Sequence, residues 1–226
     1  MELNERQKLI LDTIIREYID TANPVGSSSL VQKYNVGVSS ATARNEMSAL
    51  EEAGYIAQPH TSAGRIPTEK AYRLFSEDLK IKKIKNQEAR EIQSAFDFSE
   101  ANFKIVSKLL AGFSESAVFW AFHKNSLYYT GISNFLTQPE FSGGDKIYDI
   151  SLIIDQMDEV ITKIFDHISD EPQILLGQEN PFSPMCSTVI TKYRHNGVSG
   201  LFGILSPLRN NYENNLSLIN FIKNLF

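Results

Sequence analysis

With 226 residues, 42% of them hydrophobic, the chain can bury one large core or two small ones, which excludes a fibrous or disordered class. A formal net charge of −5 and an isoelectric point near 5.5 exclude a polycation that coats nucleic acid along its whole length. A single cysteine, Cys186, excludes an intramolecular disulfide and a cysteine-based zinc cluster, and no cofactor or metal is implied.

The charge is uneven. Residues 1–85 hold 12 Lys and Arg against 11 Asp and Glu, whereas residues 86–226 hold 10 against 16. An anionic partner is therefore expected to meet the N-terminal part. The opening "MELNERQKL" has acidic and polar residues where a signal peptide needs a basic and then an apolar run. No later stretch approaches the roughly 18 uninterrupted apolar residues of a membrane span. A soluble, cytoplasmic chain with no membrane partner is expected.

Asn4 followed by Gln7 marks a helix start, and Leu11, Ile14, Ile15, Tyr18 and Ile19 recur at helical spacing. Pro24 and Gly26 break this helix, after which Ser27 is placed to cap a short second helix carrying Leu30, Val31 and Tyr34. "NVG" makes a tight turn. Ser39 caps a third helix with Ala43, Met47 and Leu50 inward, and Gly54 stands where a left-handed cap ends it. "YIAQP", "HTSAGR" and "IPT" read as a hairpin. Helix, short helix, turn, helix and hairpin form a winged helix-turn-helix.

From Thr68 a long helix is expected through "TEKAYRLFSEDLKIKKIKNQEAREIQSAF", with Ala71, Leu74, Phe75 and Leu79 on one side. Beyond it, "NFKIVSKLLAGF" reads as a helix, "SAVFWAFHKNSLYYTGIS" as a hairpin and "KIYDISLIIDQMDEVITKIFDHI" as an amphipathic helix. "QILLG" and "STVITKYRHNGVSGLFGILSP" supply strands, and "NNLSLINFIKNLF" a last helix. The fold class is α+β. The winged domain covers residues 1–80, a linker helix 81–98, and three to five antiparallel strands with flanking helices 99–226.

Positions 40, 41, 44, 45 and 48 share the outward face of the third helix, and they are small or hydrogen-bonding. Short side chains let a helix backbone approach the floor of the major groove. There Arg44 can grip guanine O6 and N7, and Asn45 can pair with adenine or hold a phosphate. Hydroxyls of Ser39, Ser40 and Thr42, with the free N–H groups of the first turn, suit phosphate oxygens. In the hairpin, His60, Thr61, Ser62, Gly64 and Arg65 combine a small flexible tip with basic groups suited to phosphate or minor-groove contact. Winged helices also mediate protein contacts, and a solvated surface is the plainer alternative for Arg44 and Arg65, but the local pattern favours DNA. "KIKKIK", residues 80–85, can touch flanking phosphates or simply be solvated.

"PVGSSSL", "GVSSATARNEMSALEEAGYIAQPHTSAGRIPT" and "AYRLF" resemble the DNA-binding domain of the HrcA heat-shock repressor family. "YYTGISNFLTQPEF", "LLGQENP" and "GILSPLRNNYENNLSLINFI" resemble that family's C-terminal GAF-like domain, in the same order. The resemblance implies a homodimeric repressor of chaperone genes that binds double-stranded DNA at an inverted-repeat operator, is released on heat stress, and is helped to its active fold by a chaperonin. Matching the motifs puts Ser39, Ser40, Thr42, Arg44 and Asn45 in the recognition helix and His60, Thr61, Ser62, Gly64 and Arg65 in the wing.

The chain departs from the family pattern at Ser28, where a basic residue is usual, and at Ala43, where a larger aliphatic is usual. It is also about a third shorter than the family leads one to expect. The shortage falls between "KLLAGFSESAVFWAF" and "NSLYYTGIS", where the family carries an inserted dimerisation domain. A reduced GAF-like sheet is expected, with dimerisation left to the linker helix and C-terminal domain.

Two other classes compete. An enzyme would need an ordered nucleophile or phosphate motif, and no "GxSxG", Walker A, "HExxH" or "GxGxxG" stretch occurs; His123, His167 and His195 sit near turns or element ends. A small-molecule sensor could line a pocket with Phe119, Trp120, Phe122, Tyr128 and Tyr129, but alternating aromatics in a hairpin are what sheet packing demands.

Overall fold

A computed structural model describes residues 3–34, 36–61, 63–124, 126–141 and 144–226 of the chain. Two units divide it, Met1–Leu79 and Lys80–Phe226.

The first unit opens with α1, Glu5–Thr21. Asn4 Oδ1 accepts from the Gln7 N–H at 2.9 Å while the Asn4 N–H donates to Gln7 Oε1 at 3.2 Å, so the first turn is closed by a reciprocal cap. Ile10, Leu11, Ile14 and Ile15 are buried on its inner face. Two further helices follow, α2 at Ser27–Lys33 and α3 at Ser40–Glu52. Ser39 Oγ caps α3 by accepting from the Thr42 N–H at 3.1 Å. Ala43, Met47 and Leu50 point inward and are buried, as their spacing requires. Gly54, at φ +77°, then reverses the chain in a conformation that most side chains resist.

Strand β1, Ile56–Ala57, pairs antiparallel with β2, Ile66–Pro67, and α4 occupies Glu69–Glu77. The segment before α2 joins this hairpin. Val25 and Arg65 exchange both main-chain hydrogen bonds at 2.9 Å, which ties the hairpin root to the start of α2.

Three local expectations differ from the structure, one of them the single helix expected over residues 146–168, which is two helices, Gly144–Asp155 and Met157–Ile164, divided at Gln156. Gly26, not Ser27, is the N-cap of α2, and the Ser27 hydroxyl turns instead toward Ser40 Oγ, 3.4 Å away. The continuous helix expected from Thr68 is two helices: α4 ends at Glu77 and α5 begins at Asn86, leaving residues 80–84 without helical main-chain hydrogen bonding. A helix through "KIKKIK" would set Lys80 against Lys83 and Lys82 against Lys85 at i,i+3, a like-charge repulsion on each face. The Lys82 N–H is also taken by Ser217 Oγ at 3.0 Å rather than by a carbonyl one turn back. The linker helix expected over 81–98 is thereby reduced to α5, Asn86–Ala95.

Among the described residues, the second unit is built on an antiparallel sheet of five strands in the order β4-β3-β7-β6-β5. They are β3 Ala117–His123, β4 Ser126–Thr130, β5 Gln173–Leu176, β6 Cys186–His195 and β7 Val198–Pro207. Helices flank both faces, and this α+β arrangement is consistent with a GAF-like domain. Phe119 and Ala121 of β3 join one cluster with Phe135 of α7 (Ile132–Leu136), Ile150 of α8 (Gly144–Asp155) and Ile161 of α9 (Met157–Ile164). Trp120, one residue out of phase, faces the other way. Its ring stacks between Phe103 of α6 (Glu100–Ser114) at 4.6 Å and Phe202 at 4.7 Å, and α10, Tyr212–Lys223, covers the same side of the sheet. Phe119 and Trp120 are fully buried and act as core, Phe119 contributing about 1.5–3 kcal/mol through burial of apolar surface, whereas Phe122 and Tyr128 are half-buried and Tyr129 is exposed.

Candidate nucleic-acid interface

With Ala43, Met47 and Leu50 committed to the core, α3 turns Ala41, Arg44, Asn45 and Ser48 outward, and all four are exposed. Among the described residues no carboxylate lies within ion-pair distance of Arg44, so its guanidinium is available to an external acceptor. The two nearest acidic positions on the same helix are occupied. Glu46 pairs with Arg6 at 3.3 Å, and Glu51 pairs with Arg65 at 2.8 Å.

The start of α3 is a cluster of hydroxyls. Ser39 Oγ lies 3.0 Å from Thr42 Oγ1, and Ser40 Oγ lies 3.2 Å from Ser28 Oγ, so α2 and α3 present their N-terminal serines side by side. Ser28 and Ser27 belong to this surface although their place in the sequence marks only a helix start; the run of three serines after Gly26 is the one local clue to it. A groove of about 410 Å³ runs between these helix starts and the hairpin, with Arg44, Ser48 and Ser28 on one side and Gln58 and Ala63 on the other.

The hairpin residues divide into tip and root. Gln58 Nε2 donates to Ala63 O at 3.1 Å and the Ala63 N–H to His60 O at 3.0 Å, closing a turn from which His60 and Thr61 project into solvent. Ser62 lies outside the described residues. Gly64 sits at the root, where a Cβ would fall 2.6 Å from both C and O of Val25, so the close main-chain approach requires glycine. Arg65 is half-buried, held by Glu51 and by the Val25 bridge. Gly64 and Arg65 thus shape the hairpin, while His60 and Thr61 are the side chains it offers outward.

Behind this surface α2 is fixed to α1 by Glu17, whose buried carboxylate accepts from Lys33 Nζ and Tyr34 Oη. The hydrogen bond from Lys33, followed by that from Tyr34, holds the Glu17 carboxyl below its ordinary range, and the same contact raises the Tyr34 phenol. In the second unit Cys186 is buried, and desolvation pushes its thiol up to about 12, so it stays protonated at neutral pH and is not poised as a nucleophile. His123 and His167 are exposed, and the His195 ring stacks on Phe98 at 3.9 Å. No helix among the described residues is long and apolar enough to cross a membrane.

The geometry defines a two-unit α+β protein whose first unit exposes a polar helix face beside a hairpin and whose second is a helix-flanked antiparallel sheet. The family model described as "HrcA protein C terminal domain" matches residues 65–215, and the chain belongs to the HrcA family. Among its relatives, the heat-inducible transcription repressor HrcA of Streptomyces avermitilis is 52% identical over 96 residues, 42% of this chain and 28% of that protein. That of Acetivibrio thermocellus is 53% identical over 98 residues, 43% and 28% of the two chains. The repressor of the same name from Thermodesulfovibrio yellowstonii is 26% identical over 332 aligned positions, covering 96% of this chain and 95% of its own. That alignment is longer than the 226 residues present here, so this relative carries additional sequence without a counterpart in the chain. A crystal structure described only as a hypothetical protein shares the fold, with a TM-score of 0.84 at 19% identity over 99% of this chain and 97% of that one.

Proposed function

We propose that this chain is a heat-responsive transcriptional repressor, not an enzyme, whose first unit is a winged helix-turn-helix that binds double-stranded DNA. The observation that carries the reading is the outward face of α3, where exposed Arg44 and Asn45 stand among short residues and Arg44 has no carboxylate partner among the described residues. In this reading α3 enters the major groove, with Arg44 and Asn45 at base edges and Ser39, Ser40 and Thr42 at the adjoining phosphates. His60, Thr61 and Ser62 of the wing tip reach the neighbouring backbone or minor groove, while Gly64 and Arg65 keep the wing at the correct distance from α3.

The protein acts as a homodimer on an inverted-repeat operator of chaperone genes in the cytoplasm, because two copies of α3 related by a twofold axis match two half-sites. Residues 1–80 form the DNA-binding domain and 99–226 the regulatory and dimerisation domain, with a chaperonin assisting the active fold and no cofactor required. Heat shifts the population toward a form that no longer presents both helices together. The test is binding of the full chain to a duplex carrying the inverted repeat and to a scrambled duplex, across a range of salt and temperature. Preference for the repeat, a steep loss of affinity with salt and release across the stress range are expected. Equal binding to both duplexes, or preference unchanged by heating, would contradict the reading.

A further inference from the structure

Helix α8 is apolar around more of its circumference than one packing surface needs. Ile150 and Ile153 are buried in the cluster beneath it, and Ile154 is half-buried against the same cluster. On the opposite side Ile147, Tyr148 and Leu152 are 53, 66 and 38% exposed. At about 100° per residue, Ile147, Tyr148, Ser151, Leu152 and Asp155 share one face, and all five are exposed. A helix that is apolar on both sides is built to be covered on both sides, and among the described residues only the inner side is covered.

Two polar groups on the open face lack an answer within the chain. Neither the Tyr148 hydroxyl nor the Asp155 carboxylate has a hydrogen-bond or ion-pair partner among the described residues. Asp155 also closes the C-terminal turn of α8, where the helix's own carbonyl groups disfavour a negative charge.

We propose that this face is the contact with a second copy of the chain, α8 packing antiparallel on the partner's α8 about a twofold axis. Tyr148 and Asp155 lie two helical turns apart, about 10 Å along the axis, and the point midway between them falls between Ser151 and Leu152. A twofold axis crossing there sets Tyr148 of each copy opposite the partner's Asp155, so a phenol donor meets a carboxylate acceptor twice. It also brings each Asp155 to the N-terminal end of the partner's α8, where the helix dipole favours an anion. Ser151 is small enough to let the two backbones approach at the axis, and Ile147 and Leu152 fill the apolar part of the contact. An unrelated apolar partner would bury the Asp155 carboxylate unpaired, which is what selects a second copy. The inference rests on the homodimer reading above and names the surface that serves it. One helix pair buries less than the roughly 1,600 Å² of a standard interface, so the dimer is expected to dissociate on dilution.

Sedimentation equilibrium of the full chain, from about 1 μM to about 1 mM, reads the mass over the range in which a small interface titrates. Wild type should rise from 25.5 kDa toward twice that mass as concentration increases. Tyr148→Glu sets two carboxylates against each other at both pairs and should raise the dissociation constant about 30-fold or more, because a twofold interface carries each substitution twice. Tyr148→Lys is as polar but opposite in charge, so it should keep the association through the partner's Asp155, and Tyr148→Lys/Asp155→Lys should lose it again. All these substitutions fall on exposed side chains, and urea midpoints equal to wild type will separate lost association from lost folding. A wild-type dimer that Tyr148→Glu leaves intact would overturn the proposal alone, as would one that Tyr148→Glu and Tyr148→Lys weaken equally. Wild type that stays at 25.5 kDa throughout would overturn it together with the homodimer reading.

Discussion

Arg65 donates through Nε to Glu51 Oε2 at 2.9 Å and holds its Nη2 2.8 Å from the same carboxylate oxygen, joining the hairpin root to α3. Both side chains are half-buried, and a pair of this kind contributes about 0.5–1 kcal/mol beyond the two single deletions. A double-mutant cycle of Arg65→Ala and Glu51→Ala, read by urea unfolding, is expected to give that coupling. The pair also separates two roles for Arg65. Glu51→Ala should lower stability yet strengthen DNA binding at low salt, because it removes a negative charge and releases the guanidinium; weaker binding in that variant would mean that the position of the hairpin matters more than its charge.

Gly64→Ala is expected to damage the hairpin from its root. The new Cβ would meet Val25 main-chain atoms at 2.6 Å, and main chain cannot move aside as a side-chain end can. Overpacking of this kind costs about 1–3 kcal/mol. A lower urea midpoint should accompany weaker operator binding, whereas His60→Ala, at the exposed tip, should leave the midpoint unchanged.

Acid should loosen the attachment of α2 to α1. Glu17 is held below the ordinary glutamate range by Lys33 and Tyr34, so its folded form binds a proton less readily than the unfolded chain. The stabilisation is therefore complete above the ordinary glutamate pKa and is lost as pH falls toward and through the lowered value. Unfolding free energy measured from neutral pH downward should fall more steeply for wild type than for Glu17→Gln. Parallel pH profiles would show that the carboxylate contributes nothing through its charge.

Cys186 should be silent to thiol reagents while the protein is folded. Its thiol is buried at the start of β6 and titrates near 12, so thiolate is scarce at pH 8. Labelling by a soluble disulfide reagent is expected only in denaturant, at the rate of unfolding. Rapid labelling of native protein would mean that the end of β6 opens locally.

The order of elements was legible because the signals were local. Asn4 with Gln7, Ser39 before a run with Ala43, Met47 and Leu50, and Gly54 at its end each act within one or two turns, and the helices begin and end there. The aromatics around Trp120 likewise pointed to sheet packing, and Phe119 and Trp120 are buried on opposite faces of their strand. What escaped was long-range. Nothing near Lys82 in sequence announces Ser217, 135 residues away, whose hydroxyl takes the main-chain N–H and helps stop the helix expected there. In the candidate site, the exposure of Arg44 and Asn45 followed from helix periodicity. The engagement of Arg65 by Glu51, and the role of Gly64 in letting the hairpin approach Val25, depend on tertiary packing that periodicity does not encode.

Whether α3 reads bases is tested most directly by operator preference in Arg44→Ala. Anisotropy titrations of wild type and variant against the inverted repeat and a scrambled duplex, at fixed salt, give the preference for each protein. A paired contact to guanine is worth about 1–3 kcal/mol of discrimination, so the variant should lose roughly 5- to 150-fold of its preference while its affinity for scrambled DNA changes far less. Equal weakening on both duplexes would place Arg44 on a phosphate, and unchanged binding to both would remove this face of α3 from the DNA interface.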